Sequence, residues 1–137
     1  MKLTDICRCM MEEGYYPKFE KTQVIFNIGD DMAVLEYKHE VISMRVLFSI
    51  DEEYYNLFLE TSNSITMSSP TVKAGITDNG RNLLFSCETL CDNRKSFRKH
   101  LPVMVASLSR TIEMHREEMR KQILAFSVFS TATRYVQ

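Results

Sequence analysis

Apolar residues recur along the chain with two different periods, and the points where the period changes mark its elements. Over residues 4–13, Ile6, Cys7, Met10 and Met11 fall at helical spacing, Thr4 can cap the start, and Gly14 stands where a helix C-terminus favours glycine. Tyr15-Tyr16-Pro17 then stops the helix, because a residue before proline avoids the α region. From residue 23 to 50 the period drops to two. Val24, Phe26 and Ile28 alternate with polar neighbours, and Gly29-Asp30-Asp31 supplies turn chemistry. A second run covers 32–38, followed by a charged turn at Lys38-His39-Glu40. Ile42, Met44, Val46 and Phe48 then alternate with Ser43, Arg45, Leu47 and Ser49 as the clearest strand in the chain. Short connections between the three runs predict an antiparallel meander.

Helical spacing returns after Asp51, whose carboxylate can cap the first N–H groups while Glu52 and Glu53 suit the positive end of the dipole. Tyr54, Phe58, Thr61 and Ile65 mark one face. The Ser/Thr-rich end of this helix has weak propensity, and Pro70 ends it. Val72, Ala74 and Ile76 alternate into Asp78-Asn79-Gly80, and Leu83, Phe85 and Cys87 alternate out, which predicts a hairpin with both turn residues at positive φ. A last helix carries Leu101, Val105, Leu108, Ile112, Met119, Ile123 and Phe126 as an apolar stripe. Pro102 suits only a first helical turn, so this helix is expected to start near 99–101 or to kink there.

These elements predict an α+β fold: an antiparallel five-stranded sheet with helices in the order α-β-β-β-α-β-β-α. Residues 1–126 form one domain, and residues 127–137 are a tail open to helix, strand or fraying. At 137 residues the chain can bury a core without staples.

Net charge is −1, which gives no global pull toward nucleic acid. Charge is uneven, however. Residues 92–121 hold eight basic against four acidic residues, a local +4 that leaves −5 elsewhere. Glu113, Glu117 and Glu118 dilute the basic helix, so a phosphate-binding stripe is not predicted, and a solvated mixed face is weighed against a basic docking surface. No stretch approaches the ~20 apolar residues of a membrane helix. Asp5 and Arg8 interrupt what would be a leader, so a cytoplasmic protein with reduced thiols is expected.

Catalytic and metal-binding patterns are missing from the sequence. Cys7 and Cys9 would point ~200° apart on a helix, and Cys87 and Cys91 form no zinc knuckle, so all four read as small apolar residues, Cys7 and Cys87 as buried ones. The glycines are not clustered into a phosphate loop. His39, His100 and His115 read as turn or helix-surface residues. Asp30-Asp31 and Asp51-Glu52-Glu53 read as turn and cap. An enzyme would show itself as a pocket lined by Asp51, His100 or Cys91. The expectation is a protein without catalysis, metal or cofactor.

The opening helix ending in Gly14-Tyr15, the strand leading into Ser49-Ile50-Asp51-Glu52-Glu53, residues 58–64, the hairpin over 72–87 and the closing helix from 101 to 119 together resemble the YbjN-type putative sensory transduction regulator family. That family shares its fold with class I type III secretion chaperones. The resemblance covers residues 3–123 and is topological. It implies a homodimeric, non-enzymatic module that holds or regulates another protein by burying a segment of it on an apolar surface. It also implies dimer contacts at Phe58, Ile65, Val72, Ala74 and Ile76, with burial in the domain's own core as the alternative. A partner surface is implied at Met10, Met11, Tyr15 and Tyr16. A small-molecule sensor using the concave sheet face is the competing function.

Overall fold

The computed structural model describes the backbone of residues 1–136 and the side-chain surroundings of residues 1–125. The elements run α1 (Leu3–Glu12), β1 (Lys18–Glu20), β2 (Gln23–Ile28), β3 (Asp31–Lys38), β4 (Val41–Ser49), a 3-10 turn (Glu52–Tyr54), α2 (Tyr55–Ser68), β5 (Val72–Ile76), β6 (Asn82–Leu90) and α3 (Arg94–Val136). The strands form one antiparallel sheet in the order β1-β2-β3-β4-β6-β5. The α+β class and the meander are as expected, but the sheet has six strands, not five. The additional β1 is three residues long at the edge and pairs only with β2. It is too short for alternation to register, and its turn uses Lys21 at φ 56° with no glycine to announce it.

Local chemistry explains most of the boundaries. At the end of α1 the Tyr15 N–H reaches the Met10 carbonyl at 2.9 Å and the Gly14 N–H reaches Met11 at 3.1 Å, with Gly14 at φ 92°. That double closure needs a left-handed residue, which glycine adopts without strain. Thr4 is not the N-cap of α1. The helix starts at Leu3, and the Asp5 carboxylate reaches back to the Lys2 N–H at 2.8 Å. Asp51 does cap as expected, accepting from the Glu53 N–H at 3.1 Å, but it opens the 3-10 turn before α2 proper. The β5–β6 hairpin forms with only Gly80 at positive φ. Asn79 instead uses its side chain, which accepts from Thr77 and from the Arg81 N–H.

The last helix begins earlier than predicted. Asn93 accepts from the Ser96 N–H at 2.8 Å and caps a helix starting at Arg94, leaving Pro102 in its interior. The extra turns carry Phe97 into the core. The buried stripe then reads Phe97, Leu101, Met104, Leu108, Ile112, His115 and Met119, at steps of three and four. Residues 127–136, left open between helix, strand and fraying, continue the helical backbone, while Gln137 and the side chain of Phe126 lie outside the described residues.

All three helices lie on one face of the sheet. That face buries Val24, Phe26, Leu35, Met44, Val46, Leu83 and Phe85 against Ile6 and Met10 of α1, Ile65 of α2 and the stripe of α3. Each such side chain stabilises the fold by roughly 1.5–3 kcal/mol relative to exposure. The opposite face carries the alternate residues of the same strands and is left open.

Candidate functional site

The most chemically suggestive pair in the fold is buried. Ser62 Oγ lies 3.1 Å from His115 Nε2, where α2 crosses α3. The imidazole stacks on Phe58 at 6.2 Å and meets Phe85 edge-on at 5.3 Å. This corrects the reading of His115 as a surface residue: it is 2% exposed. Its place between Ile112 and Met119 in the stripe was the signal available in the sequence. Burial pushes the imidazole down to about 4, so it is neutral at physiological pH. A hydroxyl beside a neutral imidazole has the atoms of a nucleophile and base. Both groups are sealed by aromatic rings, however, and a substrate would reach neither without separating α2 from α3. The pair works as a satisfied polar joint inside the core.

The thiols follow similar logic. All four are free, with Cys9, Cys87 and Cys91 buried and Cys7 only half-buried, so Cys9 and Cys91 rather than Cys7 join Cys87 in the core. Burial pushes the Cys87 thiol up to about 11 and raises that of Cys7, which removes thiolate character at neutral pH. Cys91 anchors a junction through its backbone: its N–H donates to the Glu40 carbonyl at 2.7 Å, and Tyr37 Oη donates to its carbonyl at 2.9 Å. No hydrogen bond joins any two of Asp51, Cys91 and His100 among the described residues. Nor does any group of three His, Cys, Asp or Glu side chains there come together as metal ligands.

The basic excess of α3 is answered within the fold. Arg94 pairs with Asp5, Arg98 with Glu12, and Arg116 with Asp31 at 3.2 Å, so acids of α1 and of the first position of β3 meet basic residues of α3. Arg116 also lies over the Phe48 ring at 5.1 Å. Arg94, through its hydrogen bond and its charge, helps hold the Asp5 carboxyl below its ordinary range, although the larger cause is the Lys2 N–H.

Two surfaces remain. At the edge formed by α1 and β1, the four residues expected to bind a partner divide. Met10 is fully buried and belongs to the core, and Tyr15 is half-buried with its ring edge-on to Phe26 at 5.7 Å. Met11 and Tyr16 are 64% and 92% exposed. Phe19, which sequence reading missed together with its strand, is 51% exposed, and its pairing with buried Val24 puts it at the margin of the helix-covered face. The residues expected at a dimer contact sit largely in the domain's own core. Ile65, Val72 and Ala74 are buried, Phe58 packs on His115, and Ile76 is half-buried.

The second surface is the open face of the sheet. Near its centre Arg45 Nη2 donates to Glu36 Oε1 at 2.6 Å, and Gln23 Nε2 donates to the same oxygen at 2.6 Å. The Gln23 hydrogen bond first, and the Arg45 charge with it, hold the Glu36 carboxyl below its ordinary range. Arg45 Nε is buried with no partner among the described residues. Beside it lies a hollow of about 360 Å³ lined by Gln23, Met32, Val34, Arg45, Leu47, Thr77 and Leu84.

Among the described residues no helix is long and apolar enough to cross a membrane. No family model matches the chain, and no curated protein matches it in sequence. Solved structures do match. The crystal structure of YbjN, "a putative transcription regulator from E. coli", superposes with a TM-score of 0.69 at 16% identity, over 82% of this chain and 89% of that one. An uncharacterized protein from Methanothermobacter thermautotrophicus superposes with a TM-score of 0.65 at 11% identity, over 89% of this chain and 99% of that one. At such identities the likeness is one of architecture: the chain has a YbjN-like fold.

Proposed function

We propose that this chain is a non-catalytic binding module, chaperone-like or regulatory, that covers an apolar segment of another protein at the edge formed by α1 and β1. The observation that carries this reading is that Met11, Tyr16 and Phe19, three large side chains on the segment running from α1 into edge strand β1, are each more than half exposed. Methionine and tyrosine suit such a task, one adapting its shape and the other offering rigid area with a polar tip. The strand itself is a poor template for adding another, being three residues long, preceded by Pro17 and carrying Lys18 and Glu20. Capture therefore rests on side chains more than on backbone pairing. A regulatory role also suits the architecture shared with YbjN, itself described as a transcription regulator only putatively. Four free thiols suit a reducing compartment, and we place the module in the cytoplasm.

The test compares the natural chain with a Met11→Glu/Tyr16→Asp variant as bait in native extract. Both positions are exposed, so the variant should melt within a few degrees of the natural chain. A partner recovered at fixed stoichiometry by the natural chain and lost by the variant supports the reading. Equal recovery by both, or no partner at all, overturns it. A sensor function has one observation in its favour, the hollow beside Arg45. A thermal-shift screen of small carboxylates addresses it, since a ligand binding only the native state raises Tm.

A further inference from the structure

The open face of the sheet is organised in rows, because paired residues of neighbouring antiparallel strands project to the same side. Strand register gives the rows directly. One row reads Glu20, Gln23, Glu36, Ser43, Glu88. The next, two residues along each strand, reads Lys18, Ile25, Val34, Arg45, Ser86, Lys73. Three acids thus lie alongside three bases. Outside the acidic row come Lys38, Val41 and Leu90, and outside the basic row come Met32, Leu47 and Leu84. Leu90 and Leu47 are 75% and 52% exposed.

We propose that this face docks a second copy of the chain, about a two-fold axis that runs across the strands between the acidic and basic rows. Rotation about that line turns the face over and lays the acidic row of one copy on the basic row of the other. It also lays Val41 on Leu47 and Leu90 on Leu84, apolar on apolar, with the Lys38 stem over Met32 at the β3 end of each flank. Glu20 then stands over Lys18. Glu88 stands one strand, ~4.8 Å, from the position of Lys73, within side-chain reach, while Glu36 and Arg45, already paired within each chain, lie near the middle of the face. An axis along the strands would instead set acid on acid. The match is a self-match, which is what an isologous interface requires and what an unrelated partner would have no cause to meet.

The size of the face sets the strength. The rows span five strand intervals of ~4.8 Å and three row intervals of ~6.8 Å, roughly 500 Å², so two copies bury roughly 1,000 Å² or slightly more, near the lower limit of a specific interface. A small interface held largely by charge is expected to be weakened by salt. This inference is independent of partner capture at α1 and β1, which uses other residues.

The experiment is sedimentation velocity on the full chain over roughly 1–200 μM at low and high salt. The natural chain should pass from 16.0 kDa to twice that mass with rising concentration, and less readily in high salt. Lys18→Glu/Lys73→Glu makes the face wholly acidic in its charged rows apart from Arg45, and Glu20→Lys/Glu88→Lys makes it basic apart from Glu36. All four side chains are exposed, so folding should be retained. Each variant alone should dimerise at least ~10-fold more weakly, and their mixture should recover a heterodimer. Leu47→Asp, a single change on the apolar flank, should also weaken the dimer. A natural chain that stays monomeric throughout overturns the proposal. So do variants that self-associate as well as the natural chain, which would locate the dimer elsewhere, and a mixture that stays monomeric.

Discussion

Thr66 Oγ1 on α2 lies 2.8 Å from both the amide nitrogen and the carbonyl oxygen of Ala74 on β5, so one hydroxyl serves both backbone groups of a single residue. β5 is an edge strand, and those groups face away from β6. An edge left open invites pairing with another chain. The second helix closes it side-on, and Ser69 extends the closure by accepting from the Val72 N–H at 3.1 Å. Thr66→Val keeps the shape of the side chain and removes both bonds. It should lower unfolding free energy by about 1–2 kcal/mol and promote self-association through β5. Urea denaturation and light scattering measure the two effects, and unchanged values in both would show that the hydroxyl does not close the edge.

His115 makes stability depend on pH in a defined direction. Its folded-state value, about 4, lies below the ordinary 6.5, so between these values the unfolded chain binds the proton and the folded chain does not. Stability is therefore complete above pH 6.5 and falls as pH drops toward 4, by an amount on the order of 3 kcal/mol. The carboxyls of Asp5 and Glu36, held low in the fold, add their losses only below the ordinary carboxylate range. The interval from pH 6.5 to 5 thus isolates the histidine. His115→Phe should flatten the slope there, while leaving the Ser62 hydroxyl unpaired costs about 1 kcal/mol at pH 7. Denaturation midpoints at several pH values decide it. An equal slope in the variant would place the pH response elsewhere.

Much of this architecture was legible because hydrophobic period and turn chemistry agreed. Gly14 and Pro70 end helices where their chemistry says they should, and alternation located β2 through β6. The misses have physical causes. β1 is too short for a period, and Pro102 concealed the first turns of α3 because proline is normally read as a start. The Ser/Thr-rich end of α2 looked like weak helix when read alone. Its hydroxyls instead bind β5, a role that depends on a strand several residues downstream. The surfaces were least legible. Met11 and Tyr16 were found as apolar residues next to a helix stop, whereas the charge rows of the open face arise from pairing register, which periodicity does not supply.

The turn between β3 and β4 uses residues poorly suited to it. His39 and Glu40 both adopt positive φ, 52° and 64°, in a two-residue connection between Lys38 and Val41. Asn-Gly accepts that geometry with least strain. His39→Asn/Glu40→Gly should therefore stabilise the chain by about 1 kcal/mol. The Glu40 carbonyl still has to accept from the Cys91 N–H, and glycine retains that carbonyl. A higher melting temperature checks the expectation. A lower one would mean that side chains at this turn stabilise the fold by more than the strain costs.

Pro102 poses the same question inside a helix. It is the ninth residue of α3 and its ring is exposed, so it contributes no core surface, and its missing N–H leaves the Arg98 carbonyl without a helical donor. Pro102→Ala restores that bond and should stabilise the chain by about 1 kcal/mol or more, read as a rise in Tm. The opposite outcome has a specific meaning. Phe97 and Leu101, both fully buried, lie on the N-terminal side of the proline. A fall in Tm would show that the backbone direction set by the proline is what delivers those two side chains to the core, and that its packing gain exceeds the lost hydrogen bond.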